Sequence, residues 1–108
     1  KIDSPSGTAI KSAELMAQSR KEFNRGILKP KETIKGSRGA SADANIYIHS
    51  VRLPGFVAHQ EIILGSTGET LTIRHDAYDR TAFMPGVLMA INKVMKLDHL
   101  IYGLENII

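Results

Sequence analysis

Three β-rich stretches punctuated by turn-forming residues constrain this chain more than any other feature. Ile46–Leu53 is closed by Pro54-Gly55, Phe56–Leu64 by Gly65-Ser66-Thr67-Gly68, and Glu69–Ala77 follows directly. β-branched and aromatic runs bounded by Gly and Pro read as strands, and two strands joined by a tight turn make a hairpin. The first two stretches are therefore expected to pair, the third to complete a meander, and a weaker strand to lie near Thr33–Lys35. In Glu69–Ala77, Leu71 and Ile73 fall on one face and Thr70, Thr72 and Arg74 on the other. Phe56, Val57, Ile62, Ile63 and Leu64 offer apolar groups to both faces, more than one helix can cover. That excess points to a sheet face used as an oligomer interface.

Two helices flank these strands in the sequence. From Ala9 to about Phe23, the positions Ala9, Ala13, Met16 and Ala17 repeat at helical spacing, giving one apolar stripe. Asn24-Arg25-Gly26 reads as the stop, with Gly26 a candidate C-cap, and Lys29-Pro30-Lys31 as connecting loop. The Gly-, Ala- and Ser-rich stretch Ser37–Asn45 is expected to be loop. Thr81–Lys96 carries Val87, Ile91 and Val94 on one stripe, widened by Leu88 and Met95, and Pro85 fits only in its first turn. The sum is an α+β chain: a mixed, mainly antiparallel sheet of about four strands with flanking helices.

At 108 residues the length suits one domain with one core, and is too short for a nucleotide-binding and a substrate domain together. No apolar run is long enough to cross a bilayer, so no membrane partner is expected. The absence of cysteine removes disulfide and thiolate chemistry and is compatible with a cytoplasmic setting. The chain opens on Lys1-Ile2-Asp3 without a hydrophobic leader or an initiator Met, which suggests a fragment or a processed product. The net charge of +3 comes from scattered basic residues interleaved with Glu22 and Glu32 and without an aromatic platform, so a nucleic-acid partner is not expected. His49, His59 and His75 lie on separate strands and His99 beyond the second helix, which is not metal-ligand spacing. The three strand histidines are better placed to hydrogen-bond within the sheet. Asp76 and Asp79 read as turn formers and caps, without a catalytic role.

The segment Lys1-Ile2-Asp3-Ser4-Pro5-Ser6-Gly7-Thr8 leads straight into the first helix, which should start near Thr8. Unpaired N–H groups at a helix start, backed by the positive end of the macrodipole, favour a carboxylate or phosphate. Gly7 admits a ligand close to the backbone, the Ser6 and Thr8 hydroxyls can donate to it, and Lys1 adds a full charge. The same residues also make an ordinary capped helix with no ligand.

The string K-I-D-S-P-S-G-T-A resembles the K-x-D-A-P-S-G-T-A signature of the dihydrodipicolinate reductase family, with Ser4 in place of the usual alanine. Gly36-Ser37-Arg38-Gly39, Ile48–Gly55, Ala58-His59-Gln60-Glu61 and Leu71–Asp76 are similar to successive blocks of that family in the same order. The resemblance implies that 1–108 is a C-terminal substrate-binding and oligomerisation domain, with 82–108 returning to a nucleotide-binding domain absent from this chain. It implies NADPH- or NADH-dependent reduction of a cyclic dicarboxylate to tetrahydrodipicolinate in lysine and diaminopimelate synthesis, by a cytoplasmic homotetramer. Under it Lys1 would contact substrate and serve as proton donor. The Gly7 and Thr8 backbone and the Thr8 hydroxyl would hold one carboxylate, with Ser6 beside them. Arg80-Thr81-Ala82-Phe83 resembles the family's R-x-x-F block at the hinge, making Arg80 a substrate-binding candidate; an exposed or salt-bridged arginine fits it equally. The family carries a histidine pair just before its lysine, and this sequence has neither that pair nor a glycine-rich nucleotide fingerprint. On its own the chain is not expected to transfer hydride. A non-catalytic interaction module retaining the same sheet is the rival reading.

Overall fold

A computed structural model describes residues 3–24 and 31–108. Lys1, the Gly26 cap and the Lys29-Pro30 part of the expected loop lie outside the described residues. The chain divides into two compact units, Lys1–Pro54 and Gly55–Ile108.

In the first unit, α1 spans Gly7–Ser19. It starts one residue earlier than the sequence suggests and stops four short of Phe23. The stop has a local cause: the Met16 carbonyl accepts both the Ser19 hydroxyl at 2.7 Å and the Arg20 N–H at 3.2 Å, and Arg20 is extended. Residues 22–24 dock instead on the next loop. The Phe23 N–H donates to the Ala44 carbonyl at 2.8 Å, the Asn24 amide to the Asn45 carbonyl at 2.7 Å, and the Asn45 amide to Glu22 at 3.2 Å. The Ser37–Asn45 stretch is more ordered than a plain loop. It contains β1 (Ala40–Ser41) and a 3-10 turn, Asp43–Asn45, and β1 pairs antiparallel with β2 (Tyr47–Ile48). Positive φ at Ala44 and Asn45 bends the chain back between them. Thr33–Lys35 is bend and turn rather than strand.

Among the described residues there are four antiparallel strands, in two pairs rather than one meander. The Ile46–Leu53 stretch pairs only through Tyr47 and Ile48, and Pro54-Gly55 ends it as a turn at the boundary between the units instead of folding it onto the next strand. Pro54 has no N–H to offer a ladder, and Gly55 takes φ 83°.

The second unit is led by a long hairpin, β3 (Ala58–Ser66) and β4 (Glu69–Ala77), joined through Thr67-Gly68 with Gly68 at φ 77°. Their register places Ile62 opposite Ile73 and Leu64 opposite Leu71, so these four share one face. A 3-10 turn, Arg80–Phe83, then runs into α2 (Met84–Val94), with Pro85 in the first turn as its missing N–H requires. The tail folds back on α2. Lys93 Nζ donates to the Ile107 carbonyl, and Leu104 lies so close to Gly86 that a side chain there would touch it at 3.1 Å.

The core is much smaller than a single 108-residue domain would build. Among the described residues only Ala13, at 5% exposure, and Ala77, at 3%, are buried hydrophobics. Leu71 and Ile73 remain 57% and 56% exposed, and Val87, Leu88, Ile91, Val94 and Met95 on and after α2 are exposed as well. A two-stranded hairpin and a single helix offer no second layer able to cover these faces.

Gly39 tests the first unit. It sits at φ 75°, and a Cβ there would strike the Ile48 carbonyl oxygen and lie 3.0 Å from its carbon. Gly39→Ala should destabilise the full-length protein by about 1–3 kcal/mol through strain and overpacking. A urea midpoint unchanged from the parent would show that β1 and β2 do not approach as described.

Candidate functional site

The start of α1 is built by Ser6. Its hydroxyl accepts the Ala9 N–H at 3.3 Å, its carbonyl accepts the Ile10 N–H at 3.1 Å, and its Oγ lies 3.2 Å from the Thr8 hydroxyl. Ser6 is thus the N-cap, and no acidic side chain sits in the first turn to fill the positive end. By helix geometry the Gly7 and Thr8 N–H groups have no intrahelical acceptor. Both residues are exposed, and a Cβ built on Gly7 would meet nothing within 4 Å. Three of the expected site residues, Ser6, Gly7 and Thr8, therefore form one open, donor-rich surface. Arg80 belongs to the second unit, exposed at the head of its 3-10 turn, and Lys1 lies outside the described residues. Asp79 caps that turn, as the sequence suggests: its carboxylate accepts the Thr81 N–H at 2.7 Å, and Thr81, through hydroxyl and backbone, holds the Asp79 carboxyl below its ordinary value.

The polar face of the hairpin carries the strongest electrostatics. The register sets His59 opposite Asp76 and Glu61 opposite Arg74. Asp76 bonds His59 Nδ1 at 2.6 Å through one oxygen and accepts from Arg74 Nε at 2.7 Å through the other, while Arg74 Nη1 reaches Glu61 at 3.4 Å. The Arg74 bond first, and then His59, holds the Asp76 carboxyl below the usual carboxylate range. The Phe56 and Tyr78 rings pack on the imidazole, with centroids 4.2 and 5.1 Å away. His59 hydrogen-bonds within the hairpin as expected. Asp76 is not a turn former but the centre of this ladder, a role signalled only by the strand register. The ladder ties two strands, with Glu61 and Arg74 exposed at its outer part, and His59 Nε2 is buried without a partner.

Elsewhere in the first unit, a shallow depression of about 300 Å³ is lined by Lys31, Glu32, Thr33, Ile34, Ser37 and Arg38. Its carboxylate is already engaged: Glu32 accepts the Gly36 and Arg38 N–H groups at 3.0 and 3.1 Å, which lowers its pKa. Among the described residues no cluster of three or more His, Cys, Asp or Glu could hold a metal ion, and no helix is long and apolar enough to cross a membrane.

The structure thus joins an antiparallel α+β fold to an exposed, donor-rich helix start. The family model "Dihydrodipicolinate reductase, C-terminus" matches residues 1–108, and the chain belongs to that family. It is 60% identical over its whole length to the 4-hydroxy-tetrahydrodipicolinate reductase of Gloeothece citriformis, covering 39% of that protein. It is 55% identical to the same-named protein of Bacillus cereus, covering 40% of it. The chain thus spans about two fifths of these relatives. Among solved structures it is similar to a dipicolinate-bound dihydrodipicolinate reductase from Paenisporosarcina sp. TG-14, with a TM-score of 0.84 and 52% identity over all of this chain and 40% of that one.

The Asp76 ladder predicts an acid limb in stability. A carboxyl whose folded pKa is depressed contributes fully above its unfolded pKa of about 4, and the contribution is lost as pH falls through the lower folded value. Urea midpoints measured from about pH 7 down to about pH 3 should fall more steeply for the parent than for Asp76→Asn, which starts lower and is flatter. Parallel profiles would remove Asp76 from the acid response.

Proposed function

We propose that this chain is the substrate-binding and oligomerisation domain of a 4-hydroxy-tetrahydrodipicolinate reductase, and that the start of α1 holds one carboxylate of the cyclic dicarboxylate. The carrying observation is the open helix start: Gly7 and Thr8 N–H groups without intrahelical acceptors beside the Ser6 and Thr8 hydroxyls. A carboxylate complements both the donors and the dipole. The dipicolinate-bound state of the similar structure, and the names of the relatives, support the same ligand class. Lys1 is assigned as proton donor and Arg80 as a further substrate contact. Fixed donors aimed at a planar dicarboxylate also favour negative charge that develops as hydride arrives.

The hydride comes from NADPH or NADH. The sequence contains no glycine-rich nucleotide fingerprint. Cofactor binding is assigned to the part of the full protein beyond this chain, in a cytoplasmic enzyme. The exposed apolar faces need partners. The hairpin face with Leu71 and Ile73 is assigned to a homotetramer interface, and α2 with the tail to packing against the nucleotide-binding domain.

Calorimetry on the full-length protein should show binding of pyridine-2,6-dicarboxylate; no binding would leave the interaction-module reading. Thr8→Val should mainly raise KM, whereas Lys1→Ala should lower kcat by roughly a hundredfold or more. Near-normal turnover with Lys1→Ala would take that lysine out of the mechanism. Sedimentation should give an oligomer, and a clean monomer at roughly micromolar concentration would overturn the hairpin interface.

A further inference from the structure

Arg52 lies in the Ile48–Gly55 block, to which the proposed function assigns no role. Its Nη2 donates to the Asp3 carbonyl at 2.6 Å across 49 positions of sequence, and its Nη1 donates to the Val51 carbonyl at 2.9 Å. A guanidinium is a rigid planar fork, so these two bonds fix the Asp3 carbonyl relative to the backbone at Val51. Charge assistance makes such bonds stronger than neutral ones. From Asp3 only Ser4 and Pro5 intervene before the N-cap Ser6, a reach of at most about 10 Å, and Pro5 has a fixed φ. Ser6 is in turn tied to Ala9 and Ile10. The segment that presents the Gly7 and Thr8 donors is therefore held at both ends, by Arg52 on one side and by the helix on the other.

We propose that Arg52 is a positioning residue for the carboxylate site at the start of α1, acting through the Asp3 carbonyl; this rests on the reading of that helix start as the substrate site. Donors to a bound carboxylate lose much of their effect when misplaced by about 1 Å. Releasing Asp3 loosens the approach to Ser6 without touching the ligand.

The test uses the full-length enzyme with Arg52→Met and Arg52→Lys. In Arg52→Met the Kd for pyridine-2,6-dicarboxylate and the KM for the cyclic dicarboxylate should each rise about tenfold, with the KM for the nicotinamide cofactor unchanged. Amide exchange over residues 4–9 should quicken. Arg52→Lys, which keeps a charged donor for one carbonyl, should return both constants to within about threefold of the parent. If Arg52→Met does not fold, Arg52→Gln is measured in its place. Unchanged Kd and exchange would overturn the inference, as would equal rises in both KM values with a lowered Tm, the signature of a merely structural tie. If the parent itself fails to bind the dicarboxylate, the substrate-site reading falls and this inference falls with it. If the parent binds and Arg52→Met binds equally well, only Arg52 is removed.

Discussion

Asp76 accepts from His59 across the hairpin and from Arg74 along its own strand, and much of the second unit depends on that pairing. Side chains alternate along a strand, so a slip of one residue would put Ile62 and Leu64 on the opposite face from Leu71 and Ile73. A hairpin with so little buried apolar surface cannot rely on a core to choose between these registers. The ladder makes the choice: opposite charges stand directly across from one another at Glu61 and Arg74, and the imidazole and carboxylate do so at His59 and Asp76. What it specifies is a two-sided element, with hydrogen-bonded polar groups on one face and an uncovered apolar row on the other.

The first unit works on another principle. Its order comes from backbone groups satisfied one by one. Phe23 and Asn24 bond the Asp43–Asn45 turn, Glu32 closes the Gly36–Arg38 loop, and Ser6 opens α1. Each bond contributes little alone, about 1 kcal/mol, but each removes a freedom the chain would otherwise keep. The donor surface at Gly7 and Thr8 is what remains once the other groups near it are engaged. Helix starts commonly carry an acid in the first turn; this one has none, which leaves the positive end available to an external carboxylate.

Strands with alternating chemistry and a short turn were legible in the sequence. Glu69–Ala77 matches its expected span, and the two faces of that strand divide as the alternation requires. Pro85 and Asp79 also behave as local rules demand, because a missing N–H and a capping carboxylate act within one turn. The capped helix start, one residue before the expected Thr8, was legible for the same reason. What could not be read were pairings between distant residues. Nothing in Ile46–Leu53 itself says that Tyr47 and Ile48 bond to Ala40 and Ser41 rather than to the following strand. Nor does the composition of the helix reveal that Ser19 and Arg20 end it at the Met16 carbonyl. Asp76 was misread because its neighbours in sequence suggest a turn, while its partners are defined by register.

The two-residue connection between β3 and β4 also sets an order of events during folding. Closing so short a loop costs little chain entropy, and a hairpin of this kind forms on a timescale of about 1–10 μs. The Arg52 bond to Asp3 closes a separation of 49 positions, a contact that other structure must first bring within reach. The hairpin is therefore an early product of the chain, and the setting of the Asp3–Ser6 approach to α1 a late one.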